Sequence, residues 1–251
     1  MTATLPRPNL FERTLLFHLW EDFLTRWKFK FTLPRIRTVT LEGVKLDVST
    51  LSPLMKNNLL LGRYEVQERT LAQEFLTRDD AVLEVGGAIG FIGLFCQKRL
   101  GITRYTTVEA NPSTVEVLKK NYALNGRTPV VCNMALAAED GEVSLNVGSE
   151  FWENSLVAGA KSGRSVKVPS ASLASLVRRL VYAPTALIMD IEGAEQFVNF
   201  REVPASVKKI IMELHPAFIG HAKTYQIVAD LINLGFRVER EEGGTFLFLR
   251  S

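Results

Sequence analysis

The chain has 251 residues, which is long enough for one large α/β domain. Hydrophobic residues make up 47% of it and charged residues 23%, so it can bury a sizeable core and is not a disordered chain. Its two cysteines, Cys96 and Cys132, have neither the pattern of a disulfide-rich protein nor the close spacing of a metal-binding pair. This favours a cytoplasmic location. The longest stretch without charge, 85–97, has 13 residues. Crossing a bilayer takes about 20, so no transmembrane helix is predicted.

Basic charge is concentrated at the start of the chain. Residues 1–40 contain seven basic and three acidic side chains, whereas the rest has a net charge of −1. A nucleic-acid-binding protein usually spreads basic charge over its main domain, so we expect no nucleic-acid partner. The excess belongs to a predicted N-terminal extension, residues 1–37, which precedes a domain over residues 38–251.

The extension is predicted to be an amphipathic helix. Asn9 and Glu12 have the spacing of a capping box, and Pro34 ends the pattern. The apolar stripe consists of Leu16, Trp20, Phe23 and Trp27. Such a stripe needs a partner. We expect it to dock on the main domain or on a second copy of the chain, with peripheral contact with a membrane as the alternative.

The main domain shows the pattern of a parallel sheet covered on both faces. A hairpin around Glu42-Gly43 and a helix over 65–77 come first. Short apolar strands then alternate with helices, as in doubly wound α/β proteins. The predicted strands are Ala81 to Val85, Tyr105 to Glu109, Val130 to Met134, Ala186 to Asp190 and Lys208 to Leu214. An inserted hairpin is predicted after Asp140-Gly141.

The end of the chain predicts two strands, Phe236 to Arg240 and Thr245 to Leu249, joined by a tight turn. A parallel sheet that ends in an antiparallel hairpin is typical of class I methyltransferases, whereas dinucleotide oxidoreductases usually continue with helical crossovers. The predicted fold class is therefore α/β, with a doubly wound, mostly parallel sheet, a C-terminal antiparallel hairpin, and an N-terminal helix and hairpin.

A glycine-rich turn follows the first strand of this sheet. Its sequence, 84–90, is EVGGAIG, and Glu109 ends the next strand 23 residues after Gly86. Glycines let the backbone turn tightly into a helix, while a carboxylate at a strand tip can accept both hydroxyls of a ribose. The G-x-G-x-x-G fingerprint of NAD-binding proteins is absent. This spacing favours S-adenosylmethionine, which has a ribose and no pyrophosphate.

Three segments together resemble the FkbM-type class I methyltransferases: 84–90, the sequence EANP at 109–112, and DIEGAE at 190–195. That family uses S-adenosylmethionine to methylate hydroxyl groups on polyketides and sugars. The resemblance covers roughly residues 38–250 and makes 38–251 a methyltransferase domain. It implies that the cofactor is held by Glu84, Gly86, Gly87, Gly90, Glu109, Ala110 and Asn133. Departures from the family are Glu84 for Asp, Ala88 for Asn, and Ile188 for a Lys.

Acidic residues and an imidazole are expected to meet where methyl transfer would occur. The resemblance implies that Asp190 and Glu192 face the transferred methyl group. Asp190 and His215 also follow strands predicted to be neighbours. His215 with a pKa near neutrality is the expected general base, oriented by a carboxylate. The alternative is a magnesium ion held by Asp190 and Glu213.

The sequence thus predicts an S-adenosylmethionine-dependent methyltransferase acting on a hydroxyl of a small molecule, sugar or glycan. One rival is a methyltransferase-like binding scaffold without turnover, for which Ile188 is the main evidence. The other is an NAD-dependent oxidoreductase, which the missing fingerprint and the final hairpin disfavour.

Overall fold

The structure, a computed structural model, describes residues 27–148 and 164–251. Most of the predicted N-terminal helix lies outside the described residues. Its end forms a π-helical turn at Lys28–Thr32 and a 3-10 turn at Leu33–Arg35. Leu33 is fully buried, and the Nζ of Lys56 donates to the carbonyl oxygen of Pro34 over 3.3 Å. The end of the extension therefore packs on the rest of the chain at Leu33 and Pro34, whereas Trp27 is 50% exposed.

The strands are short and follow the apolar runs of the sequence. They are β1 (Thr38–Leu41), β2 (Val44–Asp47), β3 (Ala81–Val85), β4 (Arg104–Glu109), β5 (Val131–Asn133), β6 (Ala135–Leu136), β7 (Gly141–Val147), β8 (Arg164–Ala171), β9 (Ala186–Met189), β10 (Lys209–Glu213), β11 (Arg237–Glu242) and β12 (Thr245–Leu249).

Helices connect these strands. They are α1 (Pro53–Leu60), α2 (Val66–Phe75), α3 (Phe91–Phe95), α4 (Pro112–Leu124), α5 (Leu173–Arg179), α6 (Pro216–Ile219) and α7 (His221–Asn233). The side chain of Asn111 caps α4 by accepting the backbone N–H of Ser113, and proline occupies the first position of this helix. A π-helical turn, Cys96–Leu100, continues α3.

The main sheet has seven strands in the order β11-β12-β10-β9-β3-β4-β5. Strands β3, β4, β5, β9 and β10 are parallel, and β12 runs antiparallel to β10 and β11. In chain order, β4 and β5 follow β3 on one side of it, and β9 and β10 come later and lie on the other side of β3. The strand order therefore reverses between β3 and β9, which is where open α/β sheets bind ligands.

Successive strand residues point to opposite sides of this sheet, and both sides are buried. Val82, Ile188 and Ile211 pack in a core with residues of β1, β2, α2, α3 and α4. Leu83, Leu187 and Ile210 pack in a second core with α5 and α7. The predicted fold class, a doubly wound and mostly parallel sheet that ends in an antiparallel hairpin, is confirmed.

Two parts of the fold differ from the sequence prediction. Helix α1 was not predicted, although Ser52 caps it by accepting the backbone N–H of Met55 and Pro53 follows the cap. The predicted inserted hairpin is part of a separate three-stranded sheet in the order β6-β8-β7. Strand β7 runs antiparallel to β8, and β6 runs parallel to it. Within the described residues, no helix has the length and hydropathy needed to cross a bilayer.

Candidate active site

A cavity of about 360 Å³ lies at the carboxyl ends of β3, β4, β9 and β10. Gly86 follows β3, Asp190 follows β9, and Glu109 and Glu213 end β4 and β10. Because these strands are parallel and adjacent, all four residues reach the same edge of the sheet. The cavity volume is in the range typical of small-molecule sites.

The cavity is lined by acidic and apolar side chains. Its polar lining residues are Asn58, Tyr64, Glu65, Gln67, Glu68, Glu109, Asp190, Glu192 and Glu213. Its other lining residues are Leu54, Met55, Val85, Gly86, Ala88, Val108, Ala110, Met134, Ala135, Leu136, Leu145, Ile191 and Ala194. Among the residues that the structure describes, the lining includes six carboxylates and neither a lysine nor an arginine.

Glu109 is a buried carboxylate, 8% exposed, in the cavity wall. Its Oε1 accepts the backbone N–H of Asn111 over 2.8 Å, and its Oε2 accepts that of Ala88 over 3.0 Å. Burial raises the pKa of Glu109 to about 7, although these backbone hydrogen bonds lower it. The backbone N–H of Ala110 also lowers the pKa of Glu109. A carboxylate has about four acceptor positions, so Glu109 can still accept from a ligand.

The glycines of the turn have different roles from those predicted. Only Gly86 lines the cavity; a Cβ there would lie 1.6 Å from the carbonyl oxygen of Asp190. Gly87 and Gly90 are not in the cavity wall. A Cβ on Gly87 would lie 2.0 Å from Cγ2 of Thr107, and one on Gly90 would lie 2.9 Å from Cγ of Leu118. Close packing of the turn against β4 and α4 accounts for these two glycines, and their contact with a cofactor stays a prediction.

Glu84 does not line the cavity either, which corrects its predicted role as a direct cofactor contact. It is 3% exposed and lies beneath the turn, where its Oε2 accepts a hydrogen bond from Oγ1 of Thr107 over 2.7 Å. Burial raises the pKa of Glu84 to about 7. The residue supports the turn from within the protein.

Ala110 lines the cavity, whereas Asn133 supports it from behind. The Nδ2 of Asn133 donates to the carbonyl oxygens of Glu109 and Ala110, over 2.8 and 3.0 Å. Asn133 is outside the cavity wall. Its predicted contact with the cofactor is therefore replaced by a role in fixing the segment 109–110.

His215 lies among four carboxylates. Its Nδ1 is 2.8 Å from Oε1 of Glu195, and its Nε2 is 3.6 Å from Oδ1 of Asp190. The same Nε2 is 3.4 Å from Oε2 of Glu192 and 3.8 Å from Oε1 of Glu213. The predicted convergence of the imidazole with the carboxylates is confirmed.

The electrostatics of this group argue against His215 as the general base. Burial by itself would lower the pKa of His215, but the hydrogen bond with Glu195 and the charges of Asp190 and Glu192 raise it to about 10. The ring is then protonated at neutral pH and has no lone pair with which to accept a proton. The predicted pKa near neutrality is wrong for this reason.

The pKa values of the surrounding carboxylates are raised, which is the direction that suits a general base. Burial, together with the charges of Glu213 and Glu192, raises the pKa of Asp190 well above its usual value. Burial raises the pKa of Glu192 to about 7, although His215 lowers it. A carboxyl group with a pKa near the working pH is an efficient general base. The raised pKa values therefore favour a carboxylate over His215 as a proton acceptor.

The same cluster was the alternative magnesium site. Among the described residues, Asp190, Glu213 and His215 place one ligand atom each within 4.8 Å of one another. The set offers two carboxylates and one imidazole, and an ion bound there would have to displace the proton of His215.

Three residues of the site had no predicted role. Glu65 and Glu68 line the cavity at the start of α2, and the Oε1 of Glu68 accepts from Oγ1 of Thr245 over 2.5 Å. Glu195 is fully buried and orients His215. The sequence signal for Glu195 was its place in the segment 190–195. Glu68 had no comparable signal, because the contact of α2 with β10 joins distant parts of the chain.

No protein-family model and no curated protein matches the chain. Solved structures similar to it include the methyltransferase FkbM from Methylobacillus flagellatus KT, with 15% identity over 91% of this chain and a TM-score of 0.47. Another is a precorrin-6y C5,15-methyltransferase from Geobacter metallireducens GS-15, with 12% identity over 73% of this chain and a TM-score of 0.46. The chain spans 60% of the FkbM structure and 87% of the second.

Proposed function

We propose that the protein is an S-adenosylmethionine-dependent methyltransferase that methylates a hydroxyl group of a small molecule, sugar or glycan. The observation that carries the proposal is Glu109. A buried carboxylate at the tip of β4, next to the Gly86 turn and at the point where the strand order reverses, is placed to hold a ribose.

The residues of the cavity fit this cofactor. Glu109 keeps acceptor capacity for a ribose hydroxyl besides the backbone hydrogen bonds that it accepts from Ala88 and Asn111. The apolar side chains of Val108, Met134 and Leu136 offer a surface for a purine ring. Oδ1 of Asp190 is buried and accepts no hydrogen bond from the described residues, so it is available to a cationic ligand. Glu109, Gly86 and Ala110 would hold the nucleoside, and Asp190 would face the charged end.

When bound, the cofactor supplies a methyl group whose bond to sulfur breaks as the acceptor oxygen bonds to carbon, and the sulfur keeps the electron pair. The protein has to remove the hydroxyl proton. Glu192 lines the cavity and its pKa is raised to about 7, so its carboxylate can accept this proton near neutral pH. His215, held by Glu195, stabilises the charged form of Glu192.

Isothermal titration calorimetry with S-adenosylhomocysteine tests the proposal. We expect the wild-type protein to bind it, and Glu109→Gln to weaken binding about 10- to 100-fold because charge-assisted hydrogen bonds to the ribose are lost. Glu116→Gln, on the exposed surface of α4, is the matched control and should bind like the wild type.

The outcomes separate the rival functions. Binding of NAD in place of S-adenosylhomocysteine would favour an oxidoreductase. Equal affinity of the wild type and Glu109→Gln would contradict the assigned ribose contact. Detection of methyl transfer to a hydroxyl compound would exclude the scaffold without turnover. Ile188, the main evidence for a scaffold, is 3% exposed and packs in the core outside the cavity wall.

A further inference from the structure

Large apolar side chains are exposed on two segments near the start of the described chain. The first segment is the π-helical turn with the residue before it, where Trp27 is 50% exposed and Phe31 is 41% exposed. The centres of these two rings are 6.2 Å apart. The second segment is α1 with the residue after it, where three leucines are about half exposed. The five side chains, called here the apolar patch, are Trp27, Phe31, Leu54, Leu60 and Leu61.

The two segments lie side by side. Nζ of Lys28 donates to Oδ1 of Asn57, in the middle of α1, over 2.8 Å. The 3-10 turn that follows the π-helical turn also packs on α1. Leu54 and Leu61 lie on the same side of the helix as Asn57, because residues three and four positions apart are neighbours on a helix surface. The apolar patch therefore belongs to one surface, and exposed apolar patches of this kind mark interaction sites.

Positive charge accompanies the apolar patch. Residues 27–41 contain four basic residues and no acidic one: Lys28, Lys30, Arg35 and Arg37. Residues 53–63, which include α1, contain no acidic residue either. Nζ of Lys30 lies 5.4 Å from the centre of the Phe31 ring, and Nη1 of Arg35 donates to the carbonyl oxygen of Phe31. The partner of this surface must therefore accept both aromatic side chains and an excess of positive charge.

The charge favours a lipid surface over a second copy of the chain. Two copies joined through the same surface would bring their basic residues together, and like charges across an interface repel each other. Anionic lipid headgroups attract the same residues. Trp is also enriched where lipid meets water, since its ring is apolar and its N–H is polar. Basic residues beside exposed Trp and Phe are typical of peripheral membrane binding.

We propose that the protein binds the surface of an anionic membrane through the apolar patch and the four basic residues of segment 27–41. The basic side chains contact the lipid headgroups, while Trp27 and Phe31 enter the layer between headgroups and acyl chains. Leu54 also lines the cavity, so the membrane-binding surface reaches the rim of the cavity. The proposal does not depend on the proposed function, because none of these residues is assigned to the cofactor.

Cosedimentation of the full-length protein with sucrose-loaded vesicles tests this proposal. The vesicles consist of phosphatidylcholine alone or with about 30% phosphatidylglycerol. We expect at least about tenfold tighter binding to the anionic vesicles, weakened when NaCl rises from about 0.1 M to about 0.5 M. The double variant Lys30→Gln/Arg37→Gln should weaken this binding by about tenfold or more. Trp27→Gln/Phe31→Gln should weaken it by about tenfold, because the aromatic contact with lipid is lost.

Matched control variants lie on the other side of the sheet. Helix α7 packs in the second core, whereas α1 packs in the first. Arg201→Gln/Lys223→Gln removes two exposed positive charges next to and on α7, and Tyr225→Gln removes an aromatic side chain that is 70% exposed. Both controls should bind the anionic vesicles like the wild type. Every variant should keep the affinity of the wild type for S-adenosylhomocysteine, which separates a loss of lipid binding from unfolding.

Four results would overturn the proposal. Equal binding to anionic and neutral vesicles would show that the basic residues are not used. Wild-type binding by the Trp27→Gln/Phe31→Gln variant would place the lipid contact on another surface. A dimer in analytical ultracentrifugation that this variant dissociates, without vesicle binding by the wild type, would make the apolar patch an interface between copies. A monomer that binds no vesicles would leave residues 1–26 as the partner of the patch.

Discussion

Nδ1 of His215 lies 2.8 Å from Oε1 of Glu195, a side chain with no solvent exposure. The opposite nitrogen of the ring faces Asp190, Glu192 and Glu213. Glu195 thus fixes the orientation of the ring, and the ring in turn balances part of the negative charge at the cavity. This arrangement favours the charged form of His215.

His215 should therefore remain protonated well above neutral pH. Its pKa is raised to about 10 by Glu195, Asp190 and Glu192 against the opposing effect of burial. NMR titration of the imidazole nitrogens should show His215 as an imidazolium up to about pH 9, with the resonance assigned by its loss in His215→Asn. The stabilisation from this group is complete below about pH 6.5, its ordinary pKa, and is lost as pH rises through 10. A titration near pH 6.5 would restore His215 as a candidate base.

Replacing Glu195 should bring the pKa of His215 closer to its ordinary value. Glu195→Gln keeps a side chain of the same shape that can accept the hydrogen bond from Nδ1, but it removes the adjacent negative charge. We expect the same NMR titration to show the pKa of His215 lowered by about one unit or more, since a close charge shifts a pKa by about that amount. Glu116→Gln is the control that removes a distant exposed charge. An unchanged titration in Glu195→Gln would mean that the other carboxylates alone keep the ring protonated.

The buried Glu84 should make the protein less stable as the pH rises. Its pKa is raised from 4.5 to about 7, so between these pH values the folded state keeps a proton that the unfolded state releases. The free energy of unfolding should fall over this range by roughly 3 kcal/mol from this group, at about 1.4 kcal/mol per pKa unit. Glu84→Gln resembles the protonated acid and can still accept from Thr107. In urea denaturation, the stability of Glu84→Gln relative to the wild type should therefore increase from pH 5 to pH 8. A difference in free energy of unfolding that stays constant over this range would contradict the raised pKa of Glu84.

The strands of the main sheet could be predicted closely from the sequence. The observed ends of β3, β4 and β9 lie within one residue of the predicted ones, because short apolar runs buried on both faces stand out between polar helix surfaces. Helix α1 was harder to recognise, since its apolar residues do not follow one clear face: Met55 and Leu59 are buried, while Leu54 and Leu60 are exposed.

The site could be predicted only in part. The sequence placed Glu109 and Asp190 at strand ends, and parallel pairing brings both into the cavity wall. It could not show that Glu84 faces Thr107 within the protein, because that depends on the packing of the turn on β4. It also could not show the charge environment of His215, which joins residues from two separate strand ends and from the segment after β9.

The last prediction tests the packing explanation for Gly87. Adding a methyl group there would place Cβ 2.0 Å from Cγ2 of Thr107, a buried side chain that is 1% exposed. Gly87→Ala should destabilise the protein by about 1–3 kcal/mol or more through overpacking. Thr107→Ser removes Cγ2 but keeps the hydroxyl that donates to Glu84, so the double variant should recover a large part of the loss. A double-mutant cycle by urea denaturation measures this coupling. If the two effects simply add, the clash with Thr107 does not explain the glycine, and the next closest atoms, Cδ1 of Leu118 at 3.3 Å and Oε2 of Glu84 at 3.4 Å, become the better explanation.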